Sequence, residues 1–300
     1  MTSSKPTPDP RTAMRIFALT AALVALPSIT CVGSDIEAQV TSEPSGVIVA
    51  EVEQAEREEG FDHAHAAFDA LLRKHVKDGW LDYQGVIEDR AQLTAYIAEL
   101  QGVTPSELKE WSREQRYAFW INVYNAHVIQ VVIDNYPVRS IKDIGGALFG
   151  QIWDKEFIKL QAFHPEGDDD LLSLNDVEHA ILRPRFKDAR VHAAVNCASY
   201  SCPVLMAGAF TADKLEEQLD RQMRGFINDP LRNKLDPKSG RAEISEIFKW
   251  FVEDFERDHG SVRKYLQKYI RPGAAEFIAK AELDYLDYDW SLNDIEANRK

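Results

Sequence analysis

Residues Ala118–Asn135 read AFWINVYNAHVIQVVIDN, and this stretch decides the fold class. Apolar side chains fall on nearly every face from Tyr117 to Ile133. A surface helix carries one apolar stripe, whereas a helix apolar all round is buried. The spacing predicts a helix over Arg113–Asn135 that Pro137 stops, because proline has no N–H to continue the ladder. A long buried helix must be wrapped by other elements, and the flanking sequence supplies them.

Upstream, Phe61, Ala64, Phe68, Leu71, Leu72 and Val76 recur at steps of three and four, which predicts helix within 50–76. Gly79–Tyr83 (GWLDY) reads as a short strand or extended turn, and a second helix is expected over Ile87–Leu100. Thr104-Pro105 caps and opens the next. Downstream, Ile152–Leu160 (IWDKEFIKL) reads as a strand. Gly145 and Gly146 precede it, and the acidic turn Glu166–Asp170 follows it. Ser173 with Asp176 caps a helix expected to end before Pro184. Arg190–Asn196 (RVHAAVN) reads as a buried strand, and Thr211–Ile227 as an amphipathic helix. Asp236–Gly240 is a hairpin turn, followed by helices over Ile244–Phe255 and Val262–Ile270 and a closing aromatic–acidic run, LDYLDYDWSLN. The expectation is a single helix-rich α+β domain with a small sheet.

The N-terminus reads as an address. Lys5, Arg11 and Arg15 precede the apolar run Ile16–Leu26, which is too short to span a bilayer. Two processing readings fit: a signal peptide over 1–38, or a lipoprotein signal to residue 30 with Cys31 as a membrane tether. Met14 is a possible true start. Residues 39–49 form a spacer, 50–112 an N-terminal helical part and 113–293 the core domain. The chain is therefore expected to be exported, with no transmembrane helix in its mature form. Its 49 Asp and Glu outweigh 35 Lys and Arg, a formal charge of −14. Losing residues 1–30 leaves 48 against 32, or −16. Such a surface repels a phosphate backbone, so nucleic acid is not an expected partner.

The chemistry concentrates in VHAAVNCASYSCPVL, Val191–Leu205. Cys197 and Cys202 stand with four residues between them and the rigid Pro203 beside them. Three readings remain open. The pair can close a structural disulfide, as exported proteins favour. Either cysteine can be a thiolate nucleophile with His192 as base and Asn122, Asn125 or His179 as orienting groups. The two thiols with one or two histidines can form a metal or redox site, although zinc ribbons use the tighter C-x2-C step. Glu178 precedes His179 but would point about 100° away on an α-helix, so the two are not expected to face one another. The plain reading of Asn122 and Asn125 is hydrogen bonding to a neighbouring loop's backbone. No G-x-S-x-G, P-loop or dinucleotide fingerprint is present, and no particular cofactor is indicated.

Five blocks in order, AFWINVYNAHVI, SLNDVEHAILRPRF, ARVHAAVNCASYSCPVL, ISEIFKWFVEDFE and YLDYDWSLN, resemble the family known as domain of unknown function number 547. The resemblance spans Arg113–Asn293 and implies no established reaction. Members also occur inside plant cells, where disulfides are rare, and the paired cysteines recur there. That implies a use for the pair beyond stapling a loop. The leading expectation is a thiol-dependent hydrolase or transferase using a Cys–His pair. The alternatives are a non-catalytic envelope binding or scaffold module with a Cys197–Cys202 disulfide, and a thiol metal or redox site. The enzyme reading expects Asn122, Asn125, His179, His192, Cys197 and Cys202 to converge on one cleft.

Overall fold

Helix α5 (Arg113–Asn135) is the axis of the fold, and every residue from Tyr117 to Ile129 is buried. Its start is a capping box. The Gln115 amide donates to Ser112 Oγ at 3.1 Å, and the Ser112 amide donates to Gln115 Oε1 at 2.8 Å. The computed structural model describes residues 60–145, 151–163 and 171–297. The expected signal, spacer and acidic turn, with Gly146, therefore lie outside the described residues. Those described all belong to one unit, 59–300.

Among the described residues four helices precede the axis: α1 (Ala66–His75), α2 (Tyr83–Glu88), α3 (Arg90–Gly102) and α4 (Pro105–Glu110). A two-residue hairpin, β1 (Val76–Lys77) with β2 (Trp80–Leu81), joins α1 to α2. Of the stretch expected to be helical over 50–76, residues 50–59 lie outside the described residues, and among the described ones helix begins at Ala66. The helix expected over Ile87–Leu100 is two helices broken at Asp89, which caps α3. Helices α2 and α3 pack on α5, α1 packs on α2 and α3, and all four contribute buried residues to the core around α5.

Two expected strands are not strands. IWDKEFIKL forms a 3-10 turn at Ile152–Asp154, and only Ile158 bridges, to Leu172. RVHAAVN is a one-turn helix, α7 (Val191–Ala194), ending in an extended Val195. Its short apolar run fits a buried helix turn as well as a buried strand, because periodicity does not separate the two over so few residues. The helix expected to stop before Pro184 instead runs through it. Asp176–Leu182 is π-helical and leads into α6 (Arg183–Phe186), the Arg183 amide reaching back to the Glu178 carbonyl. The wider turn carries the chain past a residue that has no N–H to donate.

The amphipathic helix is α8 (Leu215–Asn228), entered by a short 3-10 turn. The hairpin is present: β3 (Lys234–Asp236) pairs antiparallel with β4 (Arg241–Ser245), Leu235 opposite Ala242. Helices α9 (Ile247–Trp250), α10 (Val252–His259), α11 (Val262–Tyr269) and α12 (Ala275–Lys280) form a crossover. The chain then returns as β5 (Glu282–Leu286), parallel to β4 with Ile244 opposite Tyr285. A parallel neighbour needs such a crossover, and this one wraps a second core around Phe248, Phe255 and Tyr265. The result is the expected helix-rich α+β domain with small sheets.

Helix α7 lies on the seam between the two cores. Val191 and Ala194 belong to the first, Ala189 and Ala193 to the second. The cysteine loop leaves α7 along that seam.

Candidate functional site

The loop Asn196–Pro203 is held by side-chain amides more than by packing. The Asn125 amide donates to the Ala194 carbonyl at 3.0 Å, and its oxygen accepts from the Asn196 amide at 2.9 Å. Asn196 in turn donates to the Pro203 carbonyl at 2.8 Å and accepts from the Ala198 amide at 2.9 Å and from Asn293 at 3.1 Å. The Tyr83 hydroxyl donates to Asn293 at 2.7 Å. This ladder is fully buried and holds Ala198 at φ +60°, a left-handed conformation that alanine adopts only under constraint. The C-terminal segment adds a strap, with Ser199 bridging Leu292 and the Ser201 amide donating to the Asp289 carbonyl at 3.1 Å. From the other side Arg232, itself buried, donates to the Cys202 carbonyl, and to the Tyr200 carbonyl at 3.0 Å.

So held, Cys197 and Cys202 face a cleft of about 270 Å³. Their sulfurs stand 3.1 Å apart, against about 2.05 Å for a disulfide bond, and both thiols are free. The structural disulfide is not formed here. Cys197 Sγ also lies 3.1 Å from Ser199 Oγ and 3.4 Å from the Tyr288 hydroxyl. These partners, Cys202 foremost, favour the thiolate and pull Cys197 below the ordinary thiol range against the effect of burial. Burial and the adjacent Cys197 charge push Cys202 well above it. The pair is therefore asymmetric: Cys197 is a partly exposed thiolate, and Cys202 a buried thiol that donates to it.

His179, His192, Cys197 and Cys202 all line this cleft. Asn122 and Asn125 do not. Asn122 directs its amide to the Phe210 backbone, donating at 2.8 Å and accepting at 3.0 Å. Asn125 sits beneath the loop as described, so its contribution is to the position of Cys197. His192 is not hydrogen-bonded to either sulfur. Its Nε2 meets Asp254 at 2.8 Å, its Nδ1 faces Glu178 Oε1 at 3.9 Å, and its ring stacks on Phe251 at 3.9 Å. Burial lowers the His192 pKa, with Asp254 opposing, so the ring is neutral. Burial alone would raise the Asp254 pKa. The bonds from His192 and from Arg183 at 2.6 Å win and hold it well below the ordinary carboxylate range. Arg257 adds a further bond at 2.7 Å, which makes Asp254 an anion whatever the state of His192. The Nε2 hydrogen is then assigned to the bond with Asp254, leaving the Nδ1 lone pair towards Glu178.

Glu178 was not expected in the site. It stands on the π-helical turn Asp176–Leu182 and lines the cleft, as His179 does, with Glu178 buried and His179 exposed. Burial pushes its carboxyl up to about 7 and the Cys197 charge adds to this, while Arg183 and the Tyr124 hydroxyl oppose. It is a protonated acid at the lower edge of neutrality, beside a thiolate. Asp254 was not expected there either. Its signal is a carboxylate three residues after Phe251 and one before Phe255, on the apolar face of an otherwise amphipathic helix. The aromatic wall of Trp153, Trp250, Phe251, Tyr288 and Trp290 comes from three separate segments that no sequence pattern brings together.

Among the described residues, no group of three or more His, Cys, Asp or Glu could hold a metal ion. Among the same residues no helix is long and apolar enough to cross a membrane.

Residues 108–227 match the model of the family described as protein of unknown function, DUF547. That match covers α5, the π-helical turn and the cysteine loop, whereas Asp254, Trp250, Tyr288 and Trp290 lie beyond it. No curated protein and no solved structure matches the chain.

Proposed function

We propose that this protein is a thiol-dependent hydrolase or transferase in which Cys197 is the nucleophile. The reading rests on a shared cleft together with the proton affinities that its surroundings favour. A thiolate stabilised by Cys202, Ser199 and Tyr288 shares a cleft with Glu178, a carboxyl that keeps its proton near neutrality. The thiolate attacks an acyl carbonyl to form a tetrahedral adduct. Glu178 gives its proton to the departing alcohol or amine, leaving a thioester on Cys197. Glu178, now a carboxylate, takes a proton from water or an acceptor alcohol or amine as that molecule attacks the thioester, and Cys197 leaves as thiolate. His192 does not contact the thiol. It is a positioning residue in this scheme, held by Asp254 and presenting Nδ1 to Glu178.

The test is alkylation with iodoacetamide across pH, read by peptide mapping, followed by exposure to activated acyl esters and thioesters. The expected result is modification at Cys197 rather than Cys202, with an inflection below the roughly 8.5 of an ordinary thiol. A covalent acyl adduct at Cys197 should then decay faster in wild type than in Glu178→Gln. An ordinary inflection, or the absence of an acyl adduct with every ester and thioester, overturns the reading.

A second reading has its own observation. Two sulfurs 3.1 Å apart with opposed proton affinities suit a dithiol–disulfide couple. Attack of the Cys197 thiolate on a small disulfide such as oxidised glutathione would release one glutathione thiolate. Cys202 would then resolve the mixed disulfide, releasing the second. Export to an oxidising compartment and a lipid tether at Cys31 remain proposals, tested by locating the mature N-terminus in fractionated cells.

A further inference from the structure

The wall of the cleft is unusually rich in flat aromatic faces. Three of the protein's six tryptophans line it, Trp153, Trp250 and Trp290, together with Phe251 and Tyr288. Tyr288 and Trp290 lie 4.5 Å apart between ring centroids, Trp250 and Tyr288 4.7 Å, and Trp250 stacks on Trp290 at 5.8 Å with 18° between planes. Trp250 is 42% exposed, an indole left open to solvent where burial would have been favourable. At the rim, Lys142 Nζ stands 3.9 Å above the Trp290 ring. Among the described residues Lys142 makes no ion pair, in a chain with 49 acidic residues against 35 basic ones.

These contacts form a path. From the Cys197 sulfur the Tyr288 hydroxyl is 3.4 Å away, the Tyr288 ring adjoins Trp290, and Trp290 carries Lys142. A molecule with its carbonyl at the sulfur would lay its next atoms along aromatic faces and bring its far end to an ammonium. At about 270 Å³ the cleft falls just below the usual range of small-molecule sites, roughly 300–1,000 Å³. It has room for one ring-sized group.

We propose that the cleft takes an acyl donor built of three parts: a reactive carbonyl at Cys197, a flat apolar group stacked among Trp250, Tyr288 and Trp290, and a carboxylate or similar anion at Lys142. The proposal rests on Cys197 being the reacting atom, yet its test does not require turnover. Wild-type chain is titrated with 3-phenylpropionate, its neutral amide and 3-phenylpropylammonium by ligand-observed NMR. Each probe is also tested for protection of Cys197 from iodoacetamide. The carboxylate should bind about three- to fivefold more tightly than the amide, as an exposed charge pair allows, and the cation most weakly. Lys142→Glu, a change at an exposed position, should reverse the order of carboxylate and cation. Trp250→Ala should weaken all three by about threefold or more.

Equal binding of the three probes, or an order unmoved by Lys142→Glu, overturns the proposal, as does failure of every probe to bind or protect. The two readings fail separately. Cys197 reactive below the ordinary thiol range but unprotected by any probe removes the ligand class and leaves the nucleophile. An unreactive Cys197 removes the nucleophile while the binding order still decides the ligand class.

Discussion

Glu178→Gln should stabilise the protein increasingly as pH rises, because the wild-type carboxyl is buried in a setting that resists its ionisation. Glu178 is 8% exposed, and burial lifts its pKa to about 7 from the 4.5 of a free side chain. An acid whose folded pKa is raised contributes stability that is fully present below the unfolded value and lost as pH climbs through the folded one. The window is therefore pH 4.5 to 7. A tenfold change in proton affinity corresponds to about 1.4 kcal/mol, so the wild type should lose on the order of 3 kcal/mol across it relative to a neutral side chain. Glutamine keeps the shape and can still accept the Tyr124 hydroxyl. The assay is urea unfolding followed by tryptophan fluorescence, wild type against Glu178→Gln, from about pH 4.5 to 8. The stability difference should grow in favour of the variant up to about pH 7 and then level off. A constant difference across that range would refute both the protonated carboxyl and its role as proton donor.

Other consequences follow from the same contacts. Asn125→Ala removes both bonds that hold Ala194 and Asn196, and should cost about 2–3 kcal/mol in urea unfolding while slowing Cys197 alkylation. Asp254→Asn removes an anion bound by Arg183, Arg257 and His192. It should leave two guanidinium groups with less compensation, lower stability by about 3 kcal/mol and reduce acyl-adduct decay without changing the identity of the alkylated cysteine. Treatment of wild type with oxidised glutathione should produce a Cys197–Cys202 disulfide, detected as a 197–202 cross-linked peptide that resists iodoacetamide. Persistence of two alkylatable thiols would dismiss the redox reading.

Much of the architecture was legible in the chain. An all-round apolar run stopped by Pro137 read as a buried helix, and the Asp236–Gly240 turn between extended runs read as a hairpin. The fold class followed from these, because periodicity and turn chemistry are local properties. Cys197, Cys202, His192 and His179 were also visible, since reactive residue types stand out wherever they fall, and all four reached one cleft. The plain role given to Asn125 was visible too, because a buried amide must find partners. Tertiary structure decided what those residues can do. Glu178, on the π-helical turn that leads into Pro184, came to line the cleft. Asp254, far along the chain from the cysteine loop, took the His192 nitrogen that was expected to serve a thiol. The aromatic wall was assembled from segments near residues 153, 250 and 290. Side-chain type is written in the chain, but the burial, proximity and hydrogen bonds that set a proton's affinity arise only where distant segments meet.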